Sequence, residues 1–395
     1  MRSRRHFLTS AAATLAGGLL HGQTAGLQRT VVVMFDGFGL DYFEKSSAPT
    51  LRRWQKEGFF KRVKGVMPSV TNANNASICC GAFPRIHGIT GNSYLDTRTG
   101  REEYMEAANL LQTPTLFEHA AKLAVKSALL SSKKKTILLL SKGTSIALTA
   151  EAPTEEWVKL LGPAQPIYSR EINYWLLRAA IHILKNRPEI GCLYVHTTDY
   201  PMHTWEPAAR ESQEHIRMVD ELLGQACAAA PDAAFLLTAD HGLNHKNRCY
   251  DLDKTLAGMA LPIRLSISAE RDRYLQHHQG FGGTAWVYLN NPEDSEKVIR
   301  ALSGLPGVES VLTREAAASR YSLYPSRIGD ICVFGDRSTV FGALDEASID
   351  LPGTYRSHGS TSEIDIPLFA YNAKKLPPAN YFEHNLDLAR WLYRA

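Results

Sequence analysis

Residues 30–37 read TVVVMFDG, an apolar and β-branched run that ends at Asp36. Two further apolar runs end in the same way, GCLYVHTT before Asp199 and AAFLLTA before Asp240. Buried strands of a parallel sheet read as short runs of this kind, and ligands bind beyond their carboxyl ends. The sequence therefore predicts an α/β fold in which three strand ends deliver acidic side chains into one crevice.

Strand and helix patterns alternate along the chain, which supports this fold class. The strand candidates are 29–35, 59–66, 126–131, 137–140, 191–197 and 234–238, and the helix candidates are 47–57, 73–81, 114–124, 170–186 and 207–229. Such alternation is typical of a mostly parallel sheet between helical layers. We expect the run IDIPLFAYN at 364–372 to return to the main sheet, and a helix at 384–394 to close the chain.

The stretch 257–335 has a different texture. It combines LPIRLSIS, a glycine-rich turn, the strand-like TAWVYLN and a helix pattern at 294–303. We predict that 257–335 forms a small inserted α+β cap and that 27–256 and 336–395 form the core. A cap over a crevice would restrict which substrates can enter it.

The first 26 residues are typical of an export signal. Arg4 and Arg5 are followed by Phe7 and Leu8 and then by a mildly apolar run of Ala, Leu and Gly. A twin-arginine signal has this order, and it is an address read by a receptor rather than an anchor. We therefore predict a signal at 1–26, the twin-arginine translocation machinery as a partner, a periplasmic or secreted location and no stable membrane anchor. A cytosolic N-terminus with an arginine cluster is the alternative.

The composition excludes several function classes. The net charge of +4, with 44% hydrophobic and 21% charged residues, is ordinary for a soluble globular protein. This charge is too weak to argue for a nucleic-acid partner. The six cysteines contain no CxxC pair, so we expect no thiolate metal site. The composition does not decide the oligomeric state, and a homodimer is left open.

Histidines accompany the acids at the predicted crevice. His203 follows Asp199 by four residues, His241 directly follows Asp240, and His358 lies in YRSHGS. Imidazole nitrogen and carboxylate oxygen together suit zinc. We therefore expect two divalent metal ions, with zinc as the metal. Taken alone, each of these residues also has the alternative of an ordinary turn or loop residue.

The segment MPSVTNANNASICCG, at 67–81, supplies a nucleophile candidate. Thr71 lies between a strand-like stretch and a helix predicted to begin near Ala73. At a helix N-terminus the unpaired backbone N–H groups and the dipole favour an anion. A threonine hydroxyl attacks only when a metal or a base lowers its pKa. We predict that Thr71 is the catalytic nucleophile; a plain threonine near a helix cap is the alternative.

Five blocks occur in order along the chain: MFDGFG, MPSVTNANNASICCG with IHGITGN, TTDYPMH, TADHG and RSHGS. With these blocks the chain resembles the alkaline phosphatase superfamily, most closely the phosphonoacetate hydrolases and the related nucleotide pyrophosphatase/phosphodiesterases. The resemblance covers nearly the whole chain after the signal and implies an alkaline-phosphatase-like core. It implies one zinc ion held by Asp36, Thr71, Asp240 and His241, and a second held by Asp199, His203 and His358.

The resemblance also implies substrate-binding residues. Asn92, in GITGN, matches an amide placed near the phosphoryl oxygen, and a turn residue is its alternative. If SSKKKT is strand-like, Lys133 and Lys135 share one face. Phosphonoacetate hydrolases have a lysine pair at this spacing that holds the substrate carboxylate, although Lys134 replaces the intervening aspartate here. A solvated basic turn is the alternative.

We therefore predict a zinc-dependent hydrolase whose substrate is a small phosphonate or phosphate ester. The specific reaction is cleavage of the P–C bond of a carboxylated phosphonate, phosphonoacetate to acetate and phosphate, through a phospho-threonine intermediate. The alternatives are a nucleotide pyrophosphatase/phosphodiesterase or a phosphomonoesterase with the same two-metal core. A periplasmic anion binder without turnover is a third reading, against which Thr71 argues, because a binder needs no nucleophile.

Overall fold

The computed structural model describes residues 27–274 and 279–394, so the predicted export signal at 1–26 lies outside the described residues. The strands are β1 (Thr30–Met34), β2 (Phe59–Lys64), β3 (Ser93–Asp96), β4 (Arg101–Tyr104), β5 (Lys126–Ser131), β6 (Ile146–Thr149), β7 (Ile190–His196), β8 (Ala234–Thr238), β9 (Asn244–His245), β10 (Arg248–Tyr250), β11 (Leu265–Ser268), β12 (Thr284–Tyr288), β13 (Val308–Thr313), β14 (Ile331–Gly335), β15 (Thr339–Phe341), β16 (Ser348–Asp350), β17 (Arg356–Ser357) and β18 (Asp365–Tyr371).

The α-helices between them are α1 (Leu40–Lys45), α2 (Pro49–Glu57), α3 (Thr71–Cys80), α4 (Pro84–His87), α5 (Leu116–Lys122), α6 (Lys134–Leu140), α7 (Glu155–Leu161), α8 (Glu171–Asn186), α9 (Tyr200–Thr204), α10 (Arg210–Ala229), α11 (Leu252–Gly258), α12 (Ser295–Ser303), α13 (Arg314–Arg320) and α14 (Asp387–Arg390). Within residues 27–274 and 279–394, none of these helices combines the length and the apolar character that crossing a bilayer requires.

A seven-stranded sheet forms the centre of the molecule, in the order β2-β18-β8-β1-β7-β5-β6. Strand β1 pairs in parallel with β7 and β8, and β18 runs antiparallel to β2 and β8. Met34 lies opposite His196 on β7 and Thr238 on β8, so the chain leaves these three strands at the same edge. The mostly parallel sheet confirms the predicted α/β class.

The apolar strands of this sheet form the centre of the hydrophobic core. Every residue of β1 and of β8 is buried, as expected for strands that are covered on both faces. Helix α10 contributes Ile216, Val219 and Leu223 to this core, at the spacing of one helical face. The residues within these strands are therefore committed to the core, and the polar side chains that directly follow β1, β7 and β8 lie at the edge of the sheet.

A four-stranded antiparallel sheet, in the order β11-β12-β14-β13, forms within the predicted cap. Gly283 joins this sheet to the main site, because its N–H donates to the carbonyl of His358 at 2.8 Å. A Cβ atom at Gly283 would lie 2.7 Å from the backbone nitrogen of Ser360, so this close approach requires glycine. The division of the chain into a core and a cap at 257–335 stays a prediction.

Two local predictions are wrong. Residues 137–140 belong to helix α6 and are not a strand. Strands β5 and β6 are parallel neighbours, so the chain between them must cross back over the sheet, and α6 forms part of that crossover. For the same reason 131–136 is not one strand: Lys133 is the N-cap residue of α6 and Lys135 lies in its first turn.

The last helix is shorter than the predicted 384–394 and covers only Asp387–Arg390. The residues before it continue alongside the main sheet, where the N–H of Asn385 donates to the carbonyl of Lys64 on β2. This pairing holds the backbone in an extended path and delays the start of the helix.

Candidate metal centre

The structure brings the predicted metal ligands into one buried cluster beyond β1, β7 and β8. The ligand atoms of Asp199, His203 and His358 all lie within 4.8 Å of one another, and so do those of Asp36, Asp199 and His241. All five side chains are buried. Two overlapping groups of potential ligands therefore share Asp199.

The first group is arranged by a short helix. Helix α9 begins directly after Asp199, which places His203 one turn further along on the same side. His203 Nε2 lies 2.9 Å from Oδ2 of Asp199, and His358 Nε2 lies 3.7 Å from the same oxygen. The strand-end acid and the isolated C-terminal histidine thus meet, although they are far apart in the sequence.

The second group surrounds Thr71, the first residue of α3. Its Oγ1 lies 3.3 Å from Oδ1 of Asp36 and 3.4 Å from Nε2 of His241. His241 Nε2 also lies 3.2 Å from Oδ2 of Asp240. Asp240 is fixed by its other oxygen, which accepts hydrogen bonds from the N–H groups of Gly37 and His241, both at 2.9 Å. The hydroxyl therefore lies at a helix N-terminus, as predicted.

The three histidines share one orientation. In each of them Nδ1 lies within hydrogen-bond distance of a backbone carbonyl: of Arg356 for His203 at 2.8 Å, of Gly242 for His241 at 3.0 Å, and of Ser69 for His358 at 2.8 Å. A carbonyl can only accept, so Nδ1 carries the proton and Nε2 faces the carboxylates. This is the arrangement in which a neutral imidazole coordinates a metal ion.

The cluster concentrates negative charge away from water. Burial, together with the nearby Asp199 and Asp240, raises the pKa of Asp36. Burial alone would lower the pKa of His241, but Asp240 and the other acids outweigh it and raise that pKa to about 9. Buried carboxylates of this kind require a compensating cation. The donor set, made of carboxylates, imidazoles and a hydroxyl, fits divalent metal ions.

In the absence of metal ions, Lys133 supplies part of the compensating positive charge. Its Nζ lies 2.6 Å from Oδ2 of Asp36 and 3.1 Å from Oδ1 of Asp199. The attraction of these acids outweighs the effect of burial and raises the pKa of Lys133 well above its usual range. An ammonium group thus lies between the two sets of predicted ligands.

The other two predicted substrate-binding residues also reach the site. Nζ of Lys135 donates to Oδ1 of Asn92 at 3.0 Å, although the lysine lies on a helix rather than on the expected strand. Asn92 in turn donates through Nδ2 to the carbonyl of Glu270 at 3.2 Å. The positions of Asn92, Lys133 and Lys135 are therefore compatible with substrate binding, and their roles stay predictions.

Sequence reasoning missed three buried groups at this site. His196 places Nε2 at 3.1 Å from Oδ2 of Asp36. Glu270 lies beside His358, with 3.9 Å between its Oε1 and the ring Nδ1, and burial raises its pKa to about 8. Asp272 contacts Lys135. The position of His196 at the end of strand β7 could have indicated its place at the site. The sequence around Glu270 and Asp272, in the predicted cap, gave no such indication.

A fourth missed group, Glu363, ties together the loops that carry the site. Its Oε1 accepts from Nζ of Lys246 at 2.8 Å and from Nδ2 of Asn244 at 2.6 Å. Its Oε2 accepts from the N–H of Ser360 at 2.9 Å. Ser360 completes the connection, because its carbonyl accepts from Oγ of Ser69, two residues before Thr71.

A cleft open to solvent adjoins the lysines. Its lining includes Leu138, Ile167, Tyr168 and Tyr274. These side chains form an apolar wall next to the charged groups. The cleft can therefore receive a part of a ligand that extends away from the metal centre.

The family model described as type I phosphodiesterase / nucleotide pyrophosphatase matches residues 30–362 of this chain. Bis(5'-adenosyl)-triphosphatase enpp4 of Mus musculus is 25% identical over 241 residues, which cover 58% of this chain and 50% of that protein. An uncharacterized pyrophosphatase/phosphodiesterase of Schizosaccharomyces pombe is 23% identical over 279 residues, which cover 66% of this chain and 53% of that protein. The chain thus spans about half the length of these curated relatives.

Solved structures are similar over almost the whole chain. Phosphonoacetate hydrolase from Sinorhizobium meliloti 1021, solved in complex with phosphonoacetate, superposes with a TM-score of 0.84 and 27% identity, covering 93% of this chain and 96% of that one. The alkaline phosphatase PafA superposes with a TM-score of 0.66 and 14% identity, covering 91% of this chain and 94% of that one. The second likeness shows the fold alone, and together they confirm the predicted alkaline-phosphatase-like core.

Proposed function

Because this chain belongs to the type I phosphodiesterase / nucleotide pyrophosphatase family, we propose that it hydrolyses a phosphonate or a phosphate ester at the buried metal centre. Its predicted place in the alkaline phosphatase superfamily, close to the phosphonoacetate hydrolases, is confirmed by the family match and the structural likeness. The same findings support the predicted class of a metal-dependent hydrolase.

The substrate that we propose is a small carboxylated phosphonate, with phosphonoacetate as the first candidate. One observation carries this choice: the Lys133 ammonium contacts the proposed metal ligands Asp36 and Asp199, and Lys135 on the same helix contacts Asn92 beside the same cleft. Two cations this close to a phosphoryl-transfer site suit a substrate with a second anionic group. The likeness to phosphonoacetate hydrolase, at 27% identity, supports the same choice.

The residues that would hold two zinc ions are Asp36, Thr71, Asp199, His203, Asp240, His241 and His358. When bound, such ions would polarise the phosphoryl oxygens and lower the pKa of a bound hydroxyl or water. The remaining chemistry belongs to the side chains of this chain.

In this mechanism Oγ1 of Thr71 attacks phosphorus, its hydroxyl proton passes to water, and the P–C bond breaks to give a phospho-threonine. The departing carbanion is delocalised onto its carboxylate as an enolate, which Lys133 and Lys135 stabilise electrostatically. The enolate takes a proton from water and becomes acetate. A second water attacks the phospho-threonine, releases phosphate and restores Thr71.

A phosphodiesterase or phosphomonoesterase activity is the second candidate. The cleft beside the lysines favours it, because Leu138, Tyr168 and Tyr274 offer an apolar wall to an aromatic leaving group. The curated relatives include a protein named as a triphosphatase of bis-adenosyl compounds. An anion-binding protein without catalytic activity remains the third hypothesis. The release of phosphate from any ester would exclude it.

We also propose export of the protein by the twin-arginine route, to the periplasm or the medium, on the strength of Arg4, Arg5 and the apolar run behind them. Replacement of both arginines by lysine in the full chain should retain the protein in the cytoplasm. Undiminished export of that variant would remove the proposal.

The test of function is a parallel assay of the purified, zinc-loaded protein with phosphonoacetate and with an aryl phosphodiester. Phosphate release from phosphonoacetate together with a much slower release of aryl alcohol is the expected result. Turnover of the diester alone would keep the metal centre and Thr71 but would assign the enzyme to the phosphodiesterases. A zinc-free sample treated with a chelator is the control, and it should release neither product.

A further inference from the structure

The ammonium group of Lys135 is already paired with side chains of the protein. Its ammonium donates to Oδ1 of Asn92 at 3.0 Å and makes an ion pair with Oδ2 of Asp272. Both partners of the pair are largely buried, with side chains 13% and 4% exposed. Asp272 lies just after β11, in the region predicted to be the cap. A buried carboxylate therefore already occupies one side of the ammonium group.

Asp272 is held in this position by more than its partner. Its Oδ1 accepts a hydrogen bond from the N–H of Tyr274 at 2.9 Å, so both carboxylate oxygens are engaged. Burial by itself would raise the pKa of Asp272, but the charge and hydrogen bond of Lys135 outweigh it and lower that pKa. The neighbouring Arg273 pairs with Glu106 and does not offset Asp272. The aspartate thus remains ionised beside the site.

Metal binding would affect the partners of Lys133 and Lys135 differently. Lys133 contacts Asp36 and Asp199, which are proposed metal ligands, so bound metal ions would neutralise these carboxylates and weaken their hold on the ammonium. Asp272 is not among the proposed ligands. Lys135 therefore keeps its anionic partner whether or not metal is bound, and the lysine pair offers less than two full charges to a substrate.

A substrate carboxylate bound to Lys135 would lie within a few ångströms of the Asp272 carboxylate. Two like charges at that distance in a partly buried site repel each other appreciably. Other acids near the lysines are Glu270 and, at the cleft, Glu151. Asp272 makes a direct ion pair with Lys135.

We propose that Asp272 is a specificity-determining residue, whose carboxylate weakens the binding of carboxylated leaving groups without abolishing it, so that the preference for them over uncharged ones is smaller than two unpaired lysines would give. The proposal rests on the proposed function, since it assumes that leaving groups enter beside Lys135. The cleft agrees with it, because Leu138, Ile167 and Tyr274 line the space next to the ion pair.

The test is Asp272→Asn, which removes the charge and keeps an oxygen that can accept from Lys135. The KM for phosphonoacetate should fall about fivefold, because the repulsion between the two carboxylates disappears. The KM for an aryl phosphodiester with an uncharged leaving group should change less than about twofold, because that leaving group carries no carboxylate for Asp272 to repel. The calorimetric Kd of phosphonoacetate on the zinc-loaded protein should fall in parallel with its KM.

Two variants separate this role from a general effect. Glu106→Gln removes a carboxylate from the neighbouring ion pair with Arg273, which does not include Lys135, and should leave both KM values unchanged. In a Lys135→Ala background, Asp272→Asn should still lower the KM for phosphonoacetate, because the repulsion that it removes acts directly between the two carboxylates. An increase in that KM in the single variant would show that Asp272 only positions Lys135, and equal shifts on both substrates would also overturn the proposal.

Failure of the proposed function gives a different result. If the unmodified protein hydrolyses neither substrate, the function is wrong, and the calorimetric Kd still decides the role of Asp272. Tighter binding of phosphonoacetate by Asp272→Asn, including binding gained where the unmodified protein shows none, supports the proposal. Unchanged, weaker or absent binding by the variant overturns it.

Discussion

Nζ of Lys133 lies 2.6 Å from Oδ2 of Asp36, with the two side chains 10% and 0% exposed. The lysine thereby compensates part of the negative charge of the cluster that also contains Asp199 and Asp240. Metal ions held by this cluster would supply the same compensation. Lys133 should therefore matter most for stability when no metal is bound.

We predict that Lys133→Met lowers the stability of the chelator-treated protein by roughly 3 kcal/mol, because removing one partner leaves buried carboxylates without compensation. Zinc should restore most of the loss, since it would compensate the charge of the same carboxylates. Thermal unfolding with chelator and with excess zinc measures both effects. Lys159→Met is the control, because Lys159 is 78% exposed and should matter in neither condition. Equal losses in the two conditions would contradict the prediction.

Thr71→Ala should reduce turnover of every substrate by at least about 10³-fold, because it removes the proposed attacking oxygen. The metal content measured by elemental analysis should stay near that of the unmodified protein, since the carboxylates and imidazoles remain. Thr71→Ser keeps the hydroxyl and should retain part of the activity. Full turnover by the alanine variant would exclude Thr71 as the nucleophile.

The positions of the metal-centre acids could be predicted from the sequence for a simple reason. Asp36, Asp199 and Asp240 each follow an apolar run, and a parallel sheet brings the carboxyl ends of such runs to one edge. The approximate start of α3, and with it the position of Thr71, followed from the local pattern. Local signals thus sufficed wherever the sheet itself assembles the site.

The partners of these residues could not be predicted, because they come from distant segments without a pattern of their own. Asp272 meets Lys135 across 137 residues of sequence, and Glu363 meets Lys246 across 117. An isolated acid in a polar stretch reads as a surface residue until the fold buries it. The lysine pair reached the site for a reason other than the predicted one, since a helix start and not strand alternation directs it.

Lys246 and Glu363 form an ion pair with both side chains fully buried, at 2.8 Å between Nζ and Oε1. Lys246→Met should destabilise the protein by about 3 to 5 kcal/mol, because the carboxylate of Glu363 loses its charged partner. The loss in the double variant Lys246→Met with Glu363→Gln should be smaller than the sum of the two single losses. Urea unfolding of the four proteins measures this coupling, and strictly additive losses would refute it.

The same ion pair should influence catalysis, because Glu363 holds Ser360 and, through it, the loop that precedes Thr71. We expect Glu363→Gln to lower kcat more than it changes KM, since a shift of the nucleophile affects the reaction more than substrate binding. Steady-state kinetics at a temperature where the variant is fully folded provides the measurement. An unchanged kcat would limit Glu363 to a role in stability.

His87 should make the stability depend on pH independently of the metal centre. Its Nδ1 accepts from the N–H of Ile89 at 3.1 Å, and its Nε2 lies 2.8 Å from Oγ of Ser77, so the buried ring is neutral. Burial, and then the charge of Arg327, lowers the pKa of His87 from its ordinary 6.5 to about 3. The unfolded chain therefore binds the proton first, and the stabilisation that exists above pH 6.5 is lost as the pH falls towards 3.

Between pH 7 and pH 4.5 this loss should amount to about 3 kcal/mol, at 1.4 kcal/mol for each pH unit below the unfolded pKa. His87→Gln cannot take up that proton, so its free energy of unfolding should converge on that of the unmodified protein as the pH falls. Urea unfolding of chelator-treated samples at pH 7.5, 6 and 4.5 keeps metal loss out of the comparison. His215→Gln should behave in the same way, since burial lowers the pKa of His215 to about 3 as well. Parallel stability curves for the variants and the unmodified protein would show that these histidines do not set the acid sensitivity.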